Sequence, residues 1–157
     1  MAIGVCFVCA GNICRSPSAE GIFRHLAKER GLLHRFDVDS AGTGNWHVGE
    51  APNVRARDAA QARGIALEGA ARRFEPVDFR HFDYVLAMDH ENRDHLRRIA
   101  TSEKDLAKIH LLLEFDPTSP PDAEVPDPYY GGAADYELVI ELCLRACAGL
   151  LDRLAPP

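Results

Sequence analysis

The reading of this chain turns on Ile3-Gly4-Val5-Cys6-Phe7-Val8-Cys9-Ala10-Gly11-Asn12-Ile13-Cys14-Arg15-Ser16-Pro17. Its first six residues form a short, almost wholly apolar run, the pattern of a strand covered on both faces. From Pro17 onward, Ala19, Ile22, Phe23, Leu26 and Ala27 recur at helical spacing, with Ser16 placed to cap that helix, Pro17 at its first position and Gly31 to stop it. A strand, a tight loop and a helix in that order build an anion cradle. Loop N–H groups converge on one point, and the helix N-terminus adds partial positive charge there.

The same rhythm continues along the chain. Phe36 to Ser40 reads as a strand, Pro52 to Arg63 as a helix stopped by Gly64, and Tyr84 to Met88 as a buried strand. Glu91 to Ala100 then reads as a helix, Ile109 to Leu113 as a strand, and Glu114 to Gly132 as a loop rich in proline and aspartate, before a last helix from about Ala134 to Leu154. Strands alternating with helices predict a doubly wound α/β fold, whose ligands bind beyond the carboxyl ends of the strands where the strand order switches. The loop at Cys9 leaves the first strand at that end.

A length of 157 residues, 46% of them hydrophobic, suits one buried core, so residues 1–157 are expected to form a single domain. A net charge of −6 argues against a nucleic-acid partner, which calls for a basic patch. No apolar run reaches the ~20 residues that span a bilayer, and the amino terminus lacks a signal pattern, so no membrane partner and a cytoplasmic location are expected. Five cysteines, an odd number, fit a reducing compartment in which a thiolate survives as a nucleophile.

Cys9 and Arg15 are six positions apart, which places a thiol and a guanidinium on one short loop. Attack on phosphorus needs the thiolate, and helix N-termini and adjacent cations favour that form. Arg15 offers a fork for two phosphate oxygens, a geometry lysine cannot reproduce. Gly11 and Asn12 are the residues most tolerant of the positive φ that points successive N–H groups inward, and the Ser16 hydroxyl is placed to donate to Cys9. The spacing alone also recurs by chance, and buried cysteines often only fill space. In Val125-Pro126-Asp127-Pro128-Tyr129-Tyr130 an acid stands between two prolines, either as a general acid held over the loop or as a solvated turn residue.

Cys9-Ala-Gly-Asn-Ile-Cys-Arg15-Ser-Pro resembles the signature loop of the low-molecular-weight protein tyrosine phosphatases. The resemblance extends through Val38-Asp-Ser-Ala-Gly42, Phe82-Asp-Tyr-Val-Leu-Ala-Met-Asp89 and Asp127-Pro-Tyr-Tyr-Gly131, and so covers nearly the whole chain. It implies a three-layer α/β domain with a four-stranded parallel sheet in the order 2-1-3-4, helices on both faces and the phosphate loop after strand 1. It assigns Cys9 as nucleophile, Arg15 as phosphate ligand and Asp127 as general acid and base. Ala10, Gly11, Asn12, Ile13 and Cys14 line the phosphate site, and Trp46, Tyr129 and Tyr130 supply aromatic walls for a phosphotyrosine ring. Ser16, Ser40 and Asp89 support the loop, Ser40 through Asn12 and Asp89 beside Arg15; a helix N-cap is a compatible role for Asp89. Cys14 resembles a redox guard that pairs with Cys9 under oxidation.

The implied activity is hydrolysis of phosphotyrosine through a cysteinyl phosphate, with no cofactor and no metal; the seven histidines form no ligand spacing. The implied partners are a phosphotyrosine-bearing protein, a tyrosine kinase among the candidates, and inorganic phosphate or another oxyanion in the loop, with the chain acting as a monomer or weak dimer. Three alternatives share parts of the pattern. Thiol-linked arsenate reductases need further cysteines near residues 80 to 90, where this chain has none. Phosphoarginine phosphatases typically carry threonine where Ile13 stands, and apolar Ile13 favours an aromatic substrate. A non-catalytic phosphate-binding or redox module would be expected to lack the thiol, the guanidinium or the acid, and all three are present. Cys6, Cys143 and Cys147 are expected to be packing residues, the last two on one face of the final helix.

Overall fold

A computed structural model describes residues 2–157. Four parallel strands, β1 (Ile3–Cys9), β2 (Phe36–Gly42), β3 (Tyr84–Ala87) and β4 (Ile109–Leu111), form a sheet in the order β2-β1-β3-β4. The apolar run places β1 at the centre because both of its faces are covered: every residue from Gly4 to Cys9 is buried. Val5, Phe7 and Cys9 join the larger apolar cluster, and Cys6 and Val8 the smaller one on the opposite face. Burying each such side chain stabilises the fold by about 1.5–3 kcal/mol, so a strand with two apolar faces has no competing edge position.

On the first face lie α1 (Arg15–Glu29), α2 (Val54–Gln61) and the long α6 (Ala133–Leu154), whose Tyr136, Val139, Ile140, Cys143, Ala146, Cys147, Leu150 and Leu151 form one buried stripe. The other face is covered by α3 (Asp78–His81) and α4 (His90–Ile99), through Phe79 and Leu96. A short α5 (Glu103–Leu106) precedes β4. Because β1 is flanked by β2 on one side and β3 on the other, the strand order switches beside β1, and the segments leaving β1 and β3 open onto one crevice.

Several expected boundaries move for identifiable reasons. The first helix begins at Arg15 with Cys14 in the capping position and no side-chain cap, so Ser16 is inside the helix and does not cap it. Asn53 caps α2, its side chain accepting from the Arg55 amide at 2.8 Å, and the helix is shorter than the Pro52–Arg63 expectation. Leu112 and Leu113 leave β4 for a 3₁₀ turn, Leu112–Phe115. That turn is the seat of α6: a Cβ on Gly149 would lie 1.8 Å from the Phe115 carbonyl oxygen. Gly149→Ala is therefore expected to lower stability by about 1–3 kcal/mol through backbone overpacking, despite the ~1 kcal/mol that alanine gains in a helix. A urea midpoint equal to or above that of the unsubstituted protein would contradict this packing.

Candidate active site

Between β1 and α1 the chain turns through Ala10 to Cys14, and the turn is pinned from behind by Asn12. Asn12 adopts φ +57° and uses its whole amide: Nδ2 donates to Ser16 Oγ at 2.8 Å and Ser40 Oγ at 3.0 Å, and Oδ1 accepts from the Arg72 amide at 3.0 Å. Ser40 in turn donates to Glu20 Oε1 at 2.6 Å. Burial, partly offset by hydrogen bonds from Ser40 and Arg24, raises the Glu20 pKa. With its side chain so occupied, Asn12 presents only its main chain forward, and its N–H donates to Cys9 Sγ at 3.3 Å. Ser16 Oγ lies 3.0 Å from the same sulfur. Two donors are thus available to the Cys9 sulfur.

Arg15 is 3% exposed, and its orientation is fixed by two partners of Nη1: Asp89 Oδ2 at 2.7 Å and the Val125 carbonyl at 3.0 Å. Burial works against its charge, but Cys9, Asp89 and Asp127 outweigh that cost and raise its pKa. Asp89 does two things at once, because its Oδ1 also accepts from the Asn92 amide at 2.8 Å as the N-cap of α4. Nη2 of Arg15 faces Asp127 Oδ2 at 3.8 Å. Asp127 arrives there on a strap anchored by the Val125 amide, which donates to the Met88 carbonyl at 2.8 Å. Its Oδ1 accepts from the Tyr129 amide at 3.1 Å, and its side chain remains 55% exposed. A carboxylate held by the main chain yet open to solvent can exchange protons with a substrate.

Above the loop is a cavity of about 260 Å³ whose walls include Cys9, Ala10, Gly11, Ile13, Cys14, Arg15 and Asp127, with Trp46, His47, Tyr129 and Tyr130 at its mouth. Trp46 is 68% and Tyr130 97% exposed, far more than ring side chains without a ligand usually are. Tyr129 and Tyr130 pack edge to face, centroids 4.9 Å apart. The mouth is therefore apolar and aromatic while the floor is a thiol among N–H donors and a guanidinium.

The comparisons agree with that geometry. A family model described as low molecular weight phosphotyrosine protein phosphatase matches residues 4–156. The chain belongs to this family. A Streptomyces coelicolor relative named low molecular weight protein-tyrosine-phosphatase is 45% identical over 152 residues, which cover 96% of this chain and 93% of its own. Among solved structures, a protein tyrosine phosphatase from Entamoeba histolytica with Hepes in its active site superposes with TM-score 0.93 at 36% identity, covering 98% of this chain and 97% of its own. A Drosophila arginine phosphatase superposes with TM-score 0.89 at 33% identity, covering 96% and 97%. The expected three-layer fold with sheet order 2-1-3-4 is the one observed.

Relative to the family-based expectation, the structure brings Cys9, Arg15, Asp127, Ala10, Gly11, Ile13, Cys14, Trp46, Tyr129 and Tyr130 to one cavity. Asn12 differs: its side chain is not on the cavity wall but behind the loop. Gly11 is needed for a different reason than φ, since only Asn12 among the loop residues has positive φ. A Cβ on Gly11 would stand 2.9 Å from the His47 ring, so glycine lets that ring close over the loop.

His47 itself was not singled out by the sequence, although it adjoins Trp46; its Nδ1 pairs with Glu50 Oε2 at 2.8 Å. Arg55 is a second unforeseen residue, its guanidinium 4.6 Å from the Tyr136 ring centroid and donating to the Gly131 carbonyl, which ties α2 to the turn bearing Tyr129 and Tyr130. Cys6, Cys143 and Cys147 are fully buried packing residues, as expected. Among the described residues no three histidine, cysteine or acidic side chains converge to hold a metal ion, and no helix is long and apolar enough to cross a membrane.

Proposed function

We propose that this cavity hydrolyses phosphotyrosine in proteins by two in-line displacements at phosphorus. The observation that carries the reading is the convergence of Cys9, Arg15 and Asp127 on one floor beneath an aromatic mouth. The dianionic phosphate is received by the loop N–H groups and by Nε and Nη2 of Arg15, since Nη1 is already committed to Asp89 and Val125. Cys9 Sγ forms a bond to phosphorus as the P–O bond to the tyrosine ring breaks, and Asp127 delivers its proton to the departing phenolic oxygen. Water then attacks the cysteinyl phosphate, giving its proton to Asp127 while the S–P bond breaks and Cys9 returns as thiolate. Donors fixed by Asn12 and Asp89 need no rearrangement as charge builds on the phosphoryl oxygens.

Cys14 shares the cavity with Cys9, but burial, opposed in part by a Tyr136 hydrogen bond, pushes its thiol up to about 11. At neutral pH it is protonated and does not compete as nucleophile. As a guard it would condense with a Cys9 sulfenic acid formed by peroxide, releasing water and leaving a disulfide that thiols reduce.

Two observations separate phosphotyrosine from its rivals on this fold. The apolar Ile13 side chain is on the cavity wall, and every cysteine is buried, with none on the segment that follows β3. Phosphoserine leaves the aromatic mouth empty. Turnover measured side by side is expected to favour phosphotyrosine over phosphoserine and phosphoarginine by on the order of 100-fold in kcat/KM, with no thiol-dependent reduction of arsenate. Faster release of phosphate from phosphoarginine would overturn the assignment.

A further inference from the structure

Beyond Trp46 lies a second compartment, of about 490 Å³, that shares Ala10, Arg15, Trp46 and Asp127 with the catalytic cavity. The two spaces are therefore adjacent, with Trp46 and Asp127 as the partition. Its outer wall carries three basic side chains. Arg73, which is bridged to Gly42 at the end of β2, and His95 and Arg98 on α4 all line it. Neither arginine is in an ion pair among the described residues, although the chain as a whole carries six more acidic than basic charges. Partial burial, then Arg98 and Arg73, lower the pKa of His95, so the three groups are near enough to repel one another. Of the acids that reach this space, Asp89 is spent on Arg15, Asp127 belongs to the partition, and Glu91 stands exposed.

Two guanidinium groups without ion-pair partners among the described residues, beside the catalytic cavity, suit an anion with hydrogen-bonding capacity.

We infer that Arg73 and Arg98, with His95 beside them, form a subsite for a second anionic group, a carboxylate or a phosphate, carried next to the phosphotyrosine on the same substrate peptide. The inference rests on the phosphotyrosine reading of the catalytic cavity and adds sequence selectivity to it. With the aryl phosphate seated on Cys9, the peptide leaves the cavity past Trp46 and Asp127, and its neighbouring residues pass over the basic wall. An acidic neighbour gains charge-assisted hydrogen bonds there, and a neutral one gains nothing.

The test compares the unsubstituted protein with the Arg73→Gln, Arg98→Gln double variant on four substrates: p-nitrophenyl phosphate, a phosphotyrosyl peptide flanked by glutamate and aspartate, the same peptide with glutamine and asparagine, and one bearing a second phosphotyrosine. The unsubstituted protein is expected to prefer the anionic peptides about tenfold or more in kcat/KM, mostly through KM. The double variant loses that preference. Its rates on p-nitrophenyl phosphate and the neutral peptide stay within about twofold, which also shows that it is folded. Whichever anionic peptide loses more identifies carboxylate or phosphate as the preferred group. Equal rates on anionic and neutral peptides in the unsubstituted protein, or a preference that survives in the double variant, would overturn the subsite. Hydrolysis of p-nitrophenyl phosphate by the unsubstituted protein scores the catalytic reading separately, and peptide binding to the Cys9→Ser protein scores the subsite even if that hydrolysis fails.

Discussion

Replacing Cys9 by serine is expected to lower kcat on phosphotyrosine by on the order of 10⁴-fold or more, because the nucleophile acts as a unit with its partners and nothing substitutes for it. A serine hydroxyl is close in size to the thiol but is not ionised near neutral pH, and the donors around Cys9 are arranged for an anion: the Asn12 N–H at 3.3 Å and Ser16 Oγ at 3.0 Å. No base stands in contact with the sulfur to take a proton from a hydroxyl. The cradle itself does not depend on the sulfur, because Asn12 is held by Ser16, Ser40 and Arg72, and Arg15 by Asp89 and Val125. Binding of inorganic phosphate, measured by calorimetry, should therefore change by no more than about threefold, since ground-state binding and transition-state stabilisation are separable. A variant that turns over at a near-normal rate would remove Cys9 from the mechanism, and one that neither binds nor turns over would instead show that the sulfur builds the loop.

What the sequence disclosed, and what it hid, follow from how far each interaction reaches along the chain. The strand, loop and helix around Cys9 were legible because apolar runs and helical spacing are local signals, and the central place of β1 follows from its lack of a polar face. Ser16 was misread as a cap because a serine before proline at a helix start has two uses, and here the nucleophile claims the hydroxyl. Leu112 and Leu113 continue an apolar run, yet they enter a turn whose Phe115 carbonyl packs on Gly149 of α6, a contact that no local pattern encodes. His47 and Arg55 escaped notice for the same reason. Arg55 matters through Gly131, 76 positions away, and through the Tyr136 ring. Arg73, His95 and Arg98 look like ordinary surface charge until the fold sets a β2-side segment against α4.

Asp127→Asn carries the second large effect and also reports the direction of proton transfer. Asparagine keeps the size of the side chain and can still accept from the Tyr129 amide through its carbonyl oxygen, so the strap held by Val125 and Met88 should stay in place. What it loses is the proton that the phenolic oxygen takes up as its bond to phosphorus breaks. General acid catalysis typically contributes 10²–10⁴-fold, so kcat on phosphotyrosine, whose phenol has a pKa of about 10, is expected to fall by roughly that factor. On p-nitrophenyl phosphate the departing phenolate is stable without a proton, so formation of the cysteinyl phosphate should suffer far less. Its breakdown still lacks a base. The variant should therefore show a burst of p-nitrophenol followed by slow turnover, with phosphate held on Cys9. If both substrates are slowed equally and no burst appears, Asp127 positions the substrate and some other group moves the proton.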